Sequence, residues 1–231
     1  PVEMVMRLCE MGTNCEGDIV LDYFSGSATT AHAVMKLNAK DNGNRRFIMV
    51  QLPELCPNDT VAYISGYSTI SDIGKERIRR AGDKIKEETG FIAQDHDIGF
   101  RVFKLESSNM KDVYYSAAEY NQDMLDDLTS NIKEDRTELD ILFGCLLEWG
   151  LPLSMPYTSE EICGATIHTY NDGDLIACFA KNVPENVVRE IAKRQPLRAV
   201  FRDSSFASSP AKINVEEIFK LIAPNTSVKV L

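Results

Sequence analysis

Hydrophobic residues recur along the first third of this chain with periods that change from helix to strand and back. Val2 to Met11 places Val2, Val5, Met6 and Cys9 on one stripe, the spacing of an amphipathic helix. Ile19-Val20-Leu21, led in by Asp18 and ending at Asp22, is a short continuous apolar run and predicts a buried strand. Ala28 to Asn38 returns to helical spacing, with Ala31, Val34, Met35 and Leu37 apolar. The turn "KDNGN" follows, and then "RFIMVQL", Arg46 to Leu52, as a second strand. Strand, loop, helix, turn and strand in this order predict a βαβ unit of the doubly wound kind. Beyond it, Cys56 to Tyr67 reads as loop or short helix. Ser71 to Glu88 reads as a long helix stopped at Gly90, and "GFRVFKL", Gly99 to Leu105, as a further strand.

The texture changes at Glu106. Residues 106–136 are polar and acidic without a clear strand, which predicts a partly helical linker. Thr137 to Trp149 then has the pattern of a helix, with Phe143, Leu146 and Trp149 on its core side. "ATIHTY" and "LIACFA" read as strands joined by the turn "NDGD". Pro184 to Arg194 reads as a helix with proline at its start, "RAVFRD" as a strand, and Val215 to Ala223 as a helix capped by Asn214. "SVKVL" supplies a last strand. The pattern predicts an α/β chain in three parts: 1–105, the linker 106–136, and a smaller α/β domain over 137–231.

Composition narrows the class. Of 231 residues, 44% are hydrophobic and 26% charged, and no apolar run approaches the length that spans a bilayer, which excludes a membrane-spanning protein of the helical kind. The net charge of -10 argues against bulk attraction to nucleic acid or to an anionic membrane. The acidity is concentrated after residue 105, so any contact with DNA phosphate is expected in the first part. The candidates there are the cations of the 71–89 helix (Lys75, Arg77, Arg79, Arg80, Lys84, Lys86), with Arg7, Arg45 and Arg46 behind them. A solvated helix face balanced by Glu76, Asp83, Glu87 and Glu88 is the plainer reading. The six cysteines form no C-x-x-C pair, and with three histidines no zinc spacing arises, so they read as reduced thiols of a cytoplasmic protein. The first residue is Pro1 and no signal peptide is visible, so the chain reads as a fragment or a processed product.

The chemistry concentrates in "DYFSGSATTAH", Asp22 to His32. Small residues after a strand let backbone N–H groups approach a ligand, and the helix that follows points its positive end at whatever is negative there. Gly26 is the one glycine, and Ser25, Ser27, Thr29 and Thr30 supply hydroxyls for hydrogen bonds or for capping. The loop lacks the Gly-Lys-Ser/Thr ending of a phosphate loop and does not match G-x-G-x-x-G. Ala28 stands where a second glycine is usual. Alanine avoids positive φ, so either the loop keeps φ negative there or Ala28 already lies in the helix. A nucleoside ligand also needs a hydroxyl acceptor at the end of the next strand, where Gln51 and Glu54 are the candidates. His32, just past the loop, reads as a packing or hydrogen-bonding residue.

These residues resemble a known family. "LDYFSGSATTAHAVMKLNAKDNGNRRFIMVQLPE" is similar to motif I and the following strand of the modification subunits of type III restriction-modification systems. Those subunits are permuted-order (beta-class) DNA adenine-N6 methyltransferases. The family pattern is near D-x-F-x-G-S-G-T-T-A-H-A-V, from which this chain departs at Ala28. "TISDIGKERIRRAG", "GFRVFKLESSNMKDVYY", "LLEWGLPL" and "PLRAVFRDSSFASSPAKINVEEIFK" carry the likeness along nearly the whole chain. The resemblance implies part of a Rossmann-like S-adenosylmethionine-dependent methyltransferase sheet followed by a smaller α/β domain. By position, Asp22, Tyr23, Phe24, Ser25, Gly26, Ser27, Thr29 and Thr30 would line the cofactor, and Gln51 or Glu54 would meet its ribose. It implies DNA, a second modification subunit and a restriction subunit as partners. The family's Asp/Asn/Ser-Pro-Pro-Tyr/Phe motif, which holds the flipped base, is absent, since no Pro-Pro pair occurs. The chain is therefore expected to be a C-terminal portion with no catalytic residue of its own, no metal site, and weak or no cofactor binding in isolation. The alternative is an assembly or dimerisation module that has lost the cofactor, with Ala28 as the trace of that loss.

Overall fold

A computed structural model of the chain describes residues 1–89, 97–111, 131–206 and 208–231. It is mixed α/β and divides into two compact units, Pro1–Val102 and Phe103–Leu231.

The first unit opens with α1 (Val2–Gly12), followed by β1 (Ile19–Asp22), α2 (Thr29–Asp41) and β2 (Arg46–Met49). The short α3 (Val61–Ile64) and the long α4 (Ile70–Thr89) complete it. β1 and β2 pair in parallel, Asp22 opposite Met49. The stripe read from the sequence holds: Met6 and Cys9 of α1 are buried with Val34 and Leu37 of α2, and Val2, Val5, Val20 and Phe47 pack against them. On the other side of α2, Ala28, Ala31 and Met35 meet Ile78 and Ile85 of α4, with Met49, Ile98 and Phe100 alongside.

Two expectations fail here. The β1 run reads as a buried strand, yet Ile19 and Leu21 are 49% and 50% exposed, and beside them Ile48 and Val50 are 49% and 41% exposed. The helices cover one face of the pair, and no described residue of the unit covers the other. A continuous apolar run reports that both faces can be buried, not which partner does it. Gly99–Leu105 forms no strand, because no described segment pairs with it. A strand exists only through a hydrogen-bonded neighbour, which an alternating pattern cannot supply. The stop expected at Gly90 lies outside the described residues.

The second unit holds a five-stranded sheet in the order β3-β4-β5-β6-β7. Its strands are β3 (Tyr157–Ile162), β4 (Ala165–Tyr170), β5 (Leu175–Cys178), β6 (Arg198–Phe201) and β7 (Ser227–Val230). The first three run antiparallel and the last three parallel. Helix α5 (Glu138–Glu148) lies on one face, where Leu142, Leu146, Tyr170, Phe179 and Val200 form a core with Phe143 and Trp149 packed on it. Helices α6 (Glu185–Lys193) and α7 (Ser209–Ile222) cover the other, around Ile167, Ile191, Phe201 and Phe219.

α5 starts with a reciprocal cap. The Thr137 hydroxyl accepts from the Asp140 N–H, and the Asp140 carboxylate accepts from the Thr137 N–H at 2.8 Å. α7 begins at Ser209, before the expected cap at Asn214. Pro210 sits in its first turn, where a missing N–H costs nothing. β3 had no counterpart in the sequence reading. It is an edge strand of mostly exposed residues, paired to β4 through the two-residue turn Cys163-Gly164, both at positive φ. Most of the linker expected over 106–136, residues 112–130, lies outside the described residues. Ile132, at the end of that stretch, is buried in the α5 core.

Candidate cofactor site

The loop from Asp22 to Thr30 is tied at both ends by Asp22. One carboxylate oxygen accepts from the Phe24 N–H at 3.1 Å and the other from the Thr30 hydroxyl at 2.6 Å. The strand end therefore holds the first turn of α2. Next to it, the Ser25 N–H donates to the Val50 carbonyl at 3.1 Å, and the Ala28 N–H closes a tight turn onto the Ser25 carbonyl at 2.7 Å. Gly26 sits at the apex with φ 50, a region open to glycine at little cost. A Cβ built on Gly26 meets nothing within 4 Å, so the loop is open in front of its apex.

Ala28 also lies in the left-handed region, φ 58 and ψ 41, at the N-cap of α2. Neither sequence alternative holds: φ is not negative, and the residue is not yet helical. The reason is geometric. The chain must turn from β1 into α2 within a few residues, and two left-handed residues achieve it. None of Ser25, Ser27, Thr29 or Thr30 caps the helix, because the cap position belongs to alanine, which makes no side-chain hydrogen bond. The N–H groups of a first helical turn have no intrahelical acceptor, and here they belong to Thr29, Thr30 and Ala31.

Two side chains from outside hold the loop. The Gln51 carboxamide oxygen accepts from the Gly26 N–H at 2.7 Å, while its nitrogen donates to the Leu52 carbonyl at 3.2 Å. Arg77 of α4 donates through Nη1 to Ser27 Oγ at 2.6 Å and Thr29 Oγ1 at 2.8 Å, with the Ser27 carbonyl at 3.4 Å. Gly74, one turn before Arg77, lets α4 come this close. A Cβ there would stand 3.3 Å from the Gly26 carbonyl and 3.5 Å from Ala28 Cβ. Glycine inside a helix costs about 1 kcal/mol relative to alanine, so its place at the contact marks a tight approach. Sequence reasoning missed both residues as parts of the loop's support and set Arg77 among the candidate cations for DNA phosphate. A glycine in a helix three positions before an arginine, on the same face, was the available signal.

Of the predicted lining residues, the structure brings Asp22, Ser25, Gly26, Ser27, Thr29, Thr30 and Gln51 into one hydrogen-bonded group. Ser25 is buried within it, and Tyr23 and Phe24 extend into solvent, Phe24 86% exposed. Glu54 is exposed, and its carbonyl accepts from the Ile70 N–H, outside the loop. His32 is half-buried with its Nδ1 unpartnered, and desolvation, then the Arg77 charge, lowers its pKa, so it is neutral at neutral pH. The other α4 cations are mostly paired on their own helix, Lys75 with Asp72, Arg79 and Arg80 with Glu76, and Lys84 with Glu88. Arg45, a weaker phosphate candidate, is buried and ion-paired with Asp41 at 2.9 Å.

The DNA methylase family matches residues 1–81, which hold α1, the β1 loop, α2, β2 and the start of α4. Over 223 residues the chain is 30% identical to the EcoP15I Mod subunit of a type III restriction-modification enzyme from Escherichia coli, covering 93% of this chain and 32% of that protein. It is 37% identical over 130 residues to the StyLTI Mod subunit from Salmonella typhimurium, covering 56% and 18%. To the EcoPI Mod subunit from Escherichia phage P1 it is 27% identical over 236 residues, covering 99% and 35%. Residues 1–81 thus match the DNA methylase family. The chain as a whole is similar to the modification subunits of type III restriction-modification enzymes, and it spans about a third or less of the length of these relatives.

Proposed function

We propose that the protein to which these residues belong transfers a methyl group from S-adenosylmethionine to the N6 of adenine in DNA, as the modification subunit of a type III system. The observation that carries this reading is the open-fronted loop of residues 22–30, held by Asp22, Gln51 and Arg77 inside the segment that matches the DNA methylase family. Asp22, Tyr23, Phe24, Ser25, Gly26, Ser27, Thr29 and Thr30 line the cofactor, and Gln51 or Glu54 meets its ribose. With the Gln51 oxygen engaged by the Gly26 N–H, Glu54 is the freer acceptor. When bound, the cofactor supplies an activated methyl group. The residues of this chain bind and orient it.

In this reading residues 1–105 are the C-terminal part of a Rossmann-like methyltransferase domain. The uncovered face of β1 and β2 is where the rest of that domain packs, and residues 106–136 lead to an α/β domain over 137–231. DNA, a second modification subunit and a restriction subunit are the partners, and the setting is the cytoplasm. Among the described residues no helix is long and apolar enough to cross a membrane. The 231 residues alone hold no Pro-Pro-Tyr-type motif and are expected to leave DNA unmethylated. Calorimetric titration of this chain with S-adenosylhomocysteine, beside a filter assay for methyl transfer to plasmid DNA, tests the proposal. Weak binding without transfer supports it; methylated DNA would refute the missing-motif argument. A tenfold gain in binding on Ala28→Gly would favour the second reading, an assembly module without cofactor, for which the left-handed Ala28 speaks.

A further inference from the structure

We infer that Arg77 is a positioning residue that turns the hydroxyls of Ser27 and Thr29 toward an anionic ligand, the amino-acid carboxylate end of the bound cofactor. The inference rests on the cofactor reading above and deepens it. A hydroxyl has one hydrogen to donate and two lone pairs to accept with. Arg77 is a donor only, and it occupies a lone pair of Ser27 Oγ at 2.6 Å and of Thr29 Oγ1 at 2.8 Å. Both hydroxyl hydrogens are therefore directed away from the guanidinium and free for an acceptor. Thr30 is the opposite case: its hydrogen is spent on Asp22 at 2.6 Å. The three hydroxyls, equivalent in the sequence, divide into two donors and one anchor.

The local charge agrees in sign. The guanidinium stands beside the first turn of α2, whose N–H groups carry the positive end of the helix dipole. No carboxylate pairs with Arg77 in the described structure. Its contacts are the two hydroxyls and the Ser27 carbonyl. The Asp22 carboxylate is turned to Thr30 and the Phe24 N–H, leaving the Ser27–Thr29 side for the ligand's own negative charge. Gly74 is what allows the arginine to reach, since a side chain there would press on the Gly26 carbonyl and Ala28.

The test uses the 231-residue chain with Arg77→Met and Arg77→Lys. Hydrogen exchange of residues 23–30 is read without ligand. Affinity is read for S-adenosylhomocysteine and for 5′-methylthioadenosine, which lacks the carboxylate. Arg77→Met is expected to speed loop exchange several-fold and to weaken S-adenosylhomocysteine roughly tenfold, the scale of one charge-assisted contact, with 5′-methylthioadenosine changed less than about twofold. Arg77→Lys should regain part of the loss, as a point charge without the planar fork. Unchanged exchange, or equal loss for both ligands, would overturn the inference. If wild type binds neither ligand, the carboxylate role fails for this chain, while the cofactor reading of the whole protein stands apart from it and exchange still shows whether Arg77 holds the loop. Should Arg77→Met lose its circular dichroism signal, Arg77→Lys decides alone: faster loop exchange with a loss of several-fold confined to S-adenosylhomocysteine supports the inference, and unchanged exchange or equal loss of both ligands overturns it.

Discussion

Ala28→Gly measures whether the departure from the family's loop pattern damages the site. In the left-handed region alanine pays a steric cost of roughly 1–2 kcal/mol that glycine avoids. Against this stand two losses. Ala28 is 2% exposed and packs with Ala31, Met35, Ile78 and Ile85, so its methyl is worth about 0.8 kcal/mol of burial. Glycine also gives the unfolded chain about 0.4–1 kcal/mol of extra conformational freedom. The sum lies within about 1 kcal/mol of zero, which for a unit of this size shifts the Tm by no more than about 8 °C. The methyl points into the core and toward Gly74, not into the open space before Gly26, so ligand affinity should change less than about twofold. Ala28→Val is the contrast: a β-branched residue at positive φ in a filled site should cost roughly 3 kcal/mol. Thermal melts followed by circular dichroism and calorimetric titration with S-adenosylhomocysteine read both quantities. A tenfold gain in affinity for Ala28→Gly, or a Tm rise well beyond 8 °C, would refute this reasoning and make Ala28 the mark of a lost site.

Further outcomes follow from other contacts. Gln51→Leu strips the Gly26 N–H of its acceptor and should destabilise the loop by about 1–2 kcal/mol, seen as faster exchange at Gly26, whereas Gln51→Glu keeps an acceptor and should not. The hydrogen bond from Arg45, with burial acting against it, holds the Asp41 carboxyl below the usual range. A lowered folded pKa gives stability that is complete above the unfolded value of about 3.9 and is lost as pH falls through the folded one. Melts below pH 4 should therefore show wild type losing Tm faster than Asp41→Asn, and parallel curves would contradict the pairing. Thr137→Ala removes the cap of α5 and should cost the second unit roughly 1 kcal/mol. It should also release Asp140, whose carboxyl the Thr137 hydroxyl and N–H hold low, toward its ordinary titration in a pH series of NMR spectra.

Much of this molecule can be read from local pattern. The helical stripe of Val2, Val5, Met6 and Cys9 and the order β1-α2-β2 depend on neighbours a few residues apart or on the order of elements along the chain, and such relations are written in the chain itself. The family likeness was legible for the same reason, since its segments are contiguous. What the sequence could not decide involves groups far apart along it. Arg77 reaches Ser27 across 50 residues and Gln51 reaches Gly26 across 25. Whether a cation faces solvent, DNA or a loop depends on which helix face packs where. Alternation in "GFRVFKL" did not create a partner strand, and apolar runs in β1 and β2 did not create a second covering layer. Ala28 shows the division in one residue. Its side chain argued against positive φ, but the path from β1 to α2, tied by Asp22 and Gln51 and pressed by α4, imposed it, because the sum of those contacts exceeds the roughly 1–2 kcal/mol of local preference.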